Sequence, residues 1–141
     1  MIGYWLSQCL RNAGVLGPVL SVVTQVRVNG DDPAFAMPSK FVGSVYTQQA
    51  AQELATSRGW TVARDGAGWR YVVPSAEPQA VVELISFARL LEEHTTLICG
   101  GGGGAPVVED AQGHLTGDEA VIDKDPSRPP CWPSPCTRTG S

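Results

Sequence analysis

Leu97-Ile98-Cys99-Gly100-Gly101-Gly102-Gly103-Gly104-Ala105-Pro106-Val107 carries an apolar run into five consecutive glycines and out again toward Val108. Glycine lacks a Cβ, so it adopts φ > 0 and lets a ligand's anionic groups approach backbone N–H donors closely. Its cost in chain entropy is roughly 0.5–1 kcal/mol per residue relative to alanine in a regular element. Five in a row therefore point to a loop whose backbone must be bare, most often for a phosphate or a charged small substrate. Two other readings stay open. A flexible linker is usually a Gly/Ser mixture between polar segments, whereas this run has strand-like residues on both sides. A dinucleotide fingerprint in its loosest form fits Gly100-x-Gly102-x-x-Ala105, but that motif must open a helix. Pro106 and then Val107-Val108-Glu109-Asp110 read instead as strand or loop.

Working outward, the 141 residues predict one domain. With 43% hydrophobic and 17% charged residues the composition is globular. A net charge of −4 argues against a general binder of nucleic acid or anionic membrane, which needs a basic surface. No apolar run approaches the roughly 18 residues of a transmembrane helix. Residues 1–10 lack the basic start and apolar core of a secretory signal. Cys9, Cys99, Cys131 and Cys136 are spaced for neither a zinc site nor a disulfide framework. A cytoplasmic protein with reduced thiols is expected.

Before the glycine run, Ile2, Trp5, Leu6, Cys9, Leu10 and Ala13 recur at helical spacing, with Gly14 placed to end the helix. A helix that begins without an N-cap predicts an internal start. Residues 18–28, rich in valine, read as one buried strand. Asn29 to Pro33 is a turn by composition. Residues 33–46 show no clear period. Lys40 stands among proline, glycine and an aromatic there, and on the residues alone reads as a solvated loop charge. Thr47 caps a helix reaching Arg58, closed by Gly59. Residues 60–64 and 69–73 alternate as the arms of a β-hairpin, in which Trp60 and Trp69 are expected to pair. Residues 80–84 read as a short strand, 85–94 as a helix, and 95–99 as the buried strand that delivers the glycine run.

Beyond the glycines, residues 110–117 read as a polar turn. Ala120-Val121-Ile122 leads to Asp123-Lys124-Asp125. Two acids around a lysine after an apolar run suit phosphate or Mg²⁺ chemistry, because lysine neutralises phosphoryl oxygens and a carboxylate holds the lysine or a metal. A merely charged turn is the alternative. From Pro126 onward the chain is proline-rich, with no periodicity and no aliphatic residue, and a disordered tail is expected over 126–141.

Four of these motifs occur in an informative order: Met1-Ile2-Gly3-Tyr4-Trp5-Leu6; Pro38-Ser39-Lys40-Phe41-Val42-Gly43; Gly101 to Gly104 followed by Ala105-Pro106-Val107; and Val121-Ile122-Asp123-Lys124-Asp125. Together they resemble the middle of the carbamate kinases, in the amino acid kinase family, over residues 1–125. The resemblance implies an α/β fold, a partial α/β/α sandwich with a mostly parallel sheet, and a small protruding lobe with a β-hairpin at about residues 33–75. It implies reversible phosphoryl transfer between ATP and carbamate, giving ADP and carbamoyl phosphate, with Mg²⁺, in a homodimer of arginine metabolism.

Under the same resemblance Lys40 contacts substrate from the lobe, and Gly101, Gly102, Gly103 and Gly104 form the loop beside the phosphoryl site. Lys124 lies near the transferred group, and Asp125 organises the catalytic lysines. No resident metal ligand is implied among these residues. Ser39, Ser44 and Ala105 depart from the family's threonine, proline and isoleucine. The family's earlier Gly-Gly-Asn and Gly-Asn-Gly loops are not in this sequence, and the composition after Asp125 is of the kind a shifted reading frame produces. An internal fragment without turnover of its own is therefore expected. The alternatives are a non-catalytic remnant or a small-anion binding module built on residues 100–104.

Overall fold

The computed structural model describes residues 2–99 and 103–122. Helix α1 (Ile2–Asn12) follows the apolar spacing and ends at Gly14, whose φ of +80° is the left-handed closure expected of a helix-terminating glycine. It lies tightly on strand β1 (Val19–Ser21), because a Cβ on Gly3 would fall 2.0 Å from Ser21 Oγ. None of the helix's residues is buried, and Ile2, Tyr4, Trp5 and Leu6 are exposed.

The valine-rich run 18–28 forms two strands where one was expected. β1 runs parallel to β7 (Thr96–Ile98), and β2 (Gln25–Val28) runs parallel to β8 (Ala105–Glu109). The break has a visible cause. Val22 N–H still donates to Ile98 O, and Thr24 O already accepts from Ala105 N–H. The run therefore changes partner strand between residues 22 and 24, from β7 to β8. Thr24 is nevertheless buried, while Val23 points outward at 81% exposure.

β6 (Pro78–Val81) pairs antiparallel with β2, and β9 (Leu115–Gly117) pairs antiparallel with β8, giving the order β6-β2-β8-β9. Helix α4 (Leu84–Glu92) sends Phe87 into the core with Val26, Val28, Ala76, Val81 and Ile122. Glu83, just ahead of α4, grips the start of β2: its carboxylate accepts from Gln25 N–H and Gln25 Nε2, each at 2.9 Å.

A second, all-antiparallel sheet takes β3 (Lys40–Tyr46), β4 (Val62–Asp65) and β5 (Gly68–Val73) in the order β3-β5-β4. Between β3 and β4 comes helix α3 (Gln48–Arg58), capped by Thr47 Oγ1 accepting from Ala50 N–H and closed by Gly59 at φ +69°. Its Ala51 is wholly buried. The β4–β5 hairpin is as expected. Gly66 has φ +58° at the first of two loop residues, which is where a type II′ turn needs it. The expected Trp60–Trp69 pair does not form. Arg64 stands opposite Trp69, and Trp60 stacks on Tyr71 with ring centroids 4.6 Å apart.

Three elements fall where no regular structure was read. The first is α2 (Pro33–Ala36), capped by Asp32 Oδ1 accepting from Ala34 N–H at 2.8 Å. The second is β3, and the third is β9 inside the expected polar turn. The fold class agrees with the expectation: mixed α/β with parallel pairs β1–β7 and β2–β8. No described helix is long and apolar enough to cross a membrane.

Candidate functional site

Residues 118–122 run as an irregular strap. Asp118 N–H donates to Pro106 O in β8 at 3.1 Å, and Ala120 N–H turns back to Asp118 O at 3.0 Å. Val121 N–H donates to Pro74 O, just past the end of β5, at 2.9 Å. The Tyr71 hydroxyl donates to the Glu119 carboxylate. Ile122 then enters the core. The strap thus joins the β2–β8 sheet to the three-stranded sheet.

The described end of the glycine run rests on this strap. Gly103 and Gly104 have φ of +98° and +96°. A Cβ on Gly103 would lie 2.9 Å from Ile122 O, and one on Gly104 would lie 2.7 Å from Val26 Cγ2 and 3.0 Å from Thr24 O. Both glycines are therefore required by backbone conformation and by close packing. The bare backbone here meets the core on one side. Gly100, Gly101 and Gly102 lie outside the described residues, as do Lys124, Asp125 and the tail expected over 126–141.

Lys40 opens β3, an edge strand, with its side chain on the exposed surface. It pairs in register with Val73, which places the two Cα atoms about 5 Å apart. Val73 precedes Pro74, the strap's acceptor. The fold therefore brings the start of the Lys40 strand, the end of the glycine run at Gly103 and the segment that leads to Lys124 to one end of the three-stranded sheet. These are three separate motifs in the sequence. The links between them run through Val73 and Pro74 to Val121, and through Ile122 to Gly103.

Tyr71 and Glu119 were not singled out by sequence reasoning. They are far apart in the chain, and a tyrosine in an alternating strand carries no mark of its partner. The hydrogen bond to Glu119, with some burial and the carboxylate's charge, pushes the Tyr71 phenol up to about 12. A polar depression of about 680 Å³ lined by Arg27, Asn29, Asp32, Glu77 and Gln79 includes none of the sequence-predicted site residues. Among the described residues, no group of three or more His, Cys, Asp or Glu is disposed to hold a metal ion.

Comparison with known proteins gives this arrangement a context. No family model matches the chain. It is 50% identical over 126 residues to the carbamate kinase of Thermococcus kodakarensis, covering 89% of this chain and 40% of the relative. It is 43% identical over 125 residues to the carbamate kinase of Escherichia coli K12, covering 89% and 41%. In structure it is similar to the carbamate kinase from Giardia lamblia bound to AMP-PNP, with TM-score 0.74 and 36% identity over 88% of this chain and 41% of that one. The chain spans about two fifths of the length of the relatives it matches. Sequence and fold thus group it with the carbamate kinases, of the amino acid kinase fold, as a segment of that length.

Proposed function

We propose that this segment belongs to a carbamate kinase, an enzyme that transfers a phosphoryl group reversibly between ATP and carbamate, giving ADP and carbamoyl phosphate. The supporting observation is the 50% identity to a carbamate kinase, combined with the meeting of three motifs around residues 118–122. Transfer of this kind needs little covalent help from the protein. It needs the phosphoryl oxygens positioned and their charge neutralised. In this reading Lys40 supplies positive charge to the carbamoyl phosphate from the edge of the three-stranded sheet. Residues 33–75 act as a lobe over the substrate, Gly101 to Gly104 present backbone to the phosphoryl group, and Lys124 and Asp125 complete the charge pattern. The nucleotide brings Mg²⁺ with it. We further propose a cytoplasmic homodimer, with no role for nucleic acid or membrane.

Because the chain spans about two fifths of its relatives, we assign these 141 residues substrate contact and no turnover alone. The test is calorimetric titration of the purified chain with carbamoyl phosphate, beside an assay for ATP formed from carbamoyl phosphate and MgADP. The expected result is binding that Lys40→Met weakens about tenfold or more, the loss typical of one charged contact to a phosphate, and no ATP. Equal binding by the Lys40→Met variant would remove Lys40 from the site. A second test is a chimera in which residues 1–125 replace the matching segment of the Escherichia coli enzyme. An inactive but folded chimera would overturn the enzymatic reading.

A further inference from the structure

The three-stranded sheet needs more than one attachment to hold a fixed angle to the rest of the molecule. Val121 N–H to Pro74 O is a tether at the very end of β5. A single backbone hydrogen bond at a strand's end leaves the sheet free to swing about it. Tyr71 lies three residues earlier on β5, about 10 Å along the strand, and its hydroxyl bonds Glu119, two residues before Val121 in the strap. Two attachments at separate points on one strand define an orientation. The Tyr71 ring is itself held. Trp60 stacks on it at 4.6 Å with 21° between the planes, and the Arg58 guanidinium lies 5.1 Å from the Trp60 centroid. Glu119 is anchored from the other side, since its N–H donates to Asp118 Oδ1 at 2.7 Å, and Asp118 N–H is bonded to β8.

We propose that Tyr71 and Glu119 form a positioning pair that fixes residues 118–122 against the three-stranded sheet, and so sets where the Lys40 strand stands relative to the end of the glycine run at Gly103. That consequence rests on the reading in which Lys40 and the glycines serve one site. The pair itself does not touch substrate.

The test is amide hydrogen exchange on the full chain without ligand, so its outcome is independent of the enzymatic reading. Tyr71→Phe removes the donor and keeps the ring. Exchange at Val121 should accelerate about tenfold, the scale of one charge-assisted hydrogen bond. Val72, which donates to Thr61 O inside the sheet, and Ala105, which donates to Thr24 O in the body, should be unchanged. Glu119→Ala should act in the same way, and because Glu119 is exposed this variant decides the matter if Tyr71→Phe does not fold. Glu119→Gln keeps an acceptor and should retain most of the protection. Unchanged Val121 exchange in the folded variants would overturn the proposal. So would equal acceleration at Val72, or a loss in Glu119→Gln as large as in Glu119→Ala.

Discussion

Ile122 sits so close on Gly103 that a Cβ there would be 2.9 Å from the Ile122 carbonyl oxygen and 3.0 Å from its Cβ. The contact joins the core to the glycine run, because Ile122 is buried with Val26, Phe87 and Val81. Gly103→Ala and Gly104→Ala should each cost about 2–4 kcal/mol, combining left-handed strain with overpacking. The midpoint of guanidinium unfolding checks this. An unchanged midpoint would mean the run does not pack here as described.

The phenol of Tyr71 titrates high because the Glu119 carboxylate accepts its proton in a hydrogen bond. A folded value raised from 10 to about 12 means the neutral phenol is favoured by the fold. The stability it contributes is fully present below pH 10 and is lost as pH rises to about 12. The difference in unfolding free energy between the native chain and Tyr71→Phe should therefore be constant at neutral pH and vanish across that window. Phenolate absorbance should show one tyrosine ionising late, and Glu119→Gln should bring it back toward its ordinary value.

Asp110 shapes the turn between β8 and β9. Its carboxylate accepts from Gln112 N–H at 2.9 Å and His114 N–H at 2.8 Å, and faces His114 Nδ1 at 3.1 Å. The bond from His114 N–H is the chief reason the carboxyl is held below its usual range, against an opposing effect of desolvation. A lowered value contributes order that is present above the ordinary carboxylate pKa and is lost as pH falls through the folded one. The His114 amide shift should follow that acid transition, and Asp110→Asn should abolish it.

Glu83 satisfies the backbone N–H and the side-chain amide of Gln25 at once. Glu83→Ala leaves a part-buried donor unmet and should cost about 1–3 kcal/mol. Chemical denaturation measures the loss. Glu83→Gln should recover part of it, since an amide oxygen still accepts.

Elements with local signals were legible in the sequence. The α3 helix carries its cap at Thr47 and its stop at Gly59, and the β4–β5 hairpin carries its glycine turn. β3 was hidden for a physical reason. Gly43, at φ +70°, interrupts its register, and most of its residues are exposed, so no apolar alternation marks it. The break between β1 and β2 was hidden because it is set by the partner strands and leaves no trace in the valines themselves. The same holds for the site. Lys40 and the glycine run were singled out as residue types in context, whereas the Tyr71–Glu119 bond depends on tertiary proximity alone.

The Trp60–Tyr71 stack has an optical consequence. Two aromatic chromophores 4.6 Å apart with nearly parallel planes couple their transitions, and the adjacent Arg58 cation polarises the indole. The three-stranded sheet therefore carries its own near-ultraviolet circular dichroism signature. Trp5, exposed on α1, has no such stacked ring among the described residues and should contribute a featureless band. Any loosening of the stack itself would be written in the absorption of light by the native side chains, with no label attached.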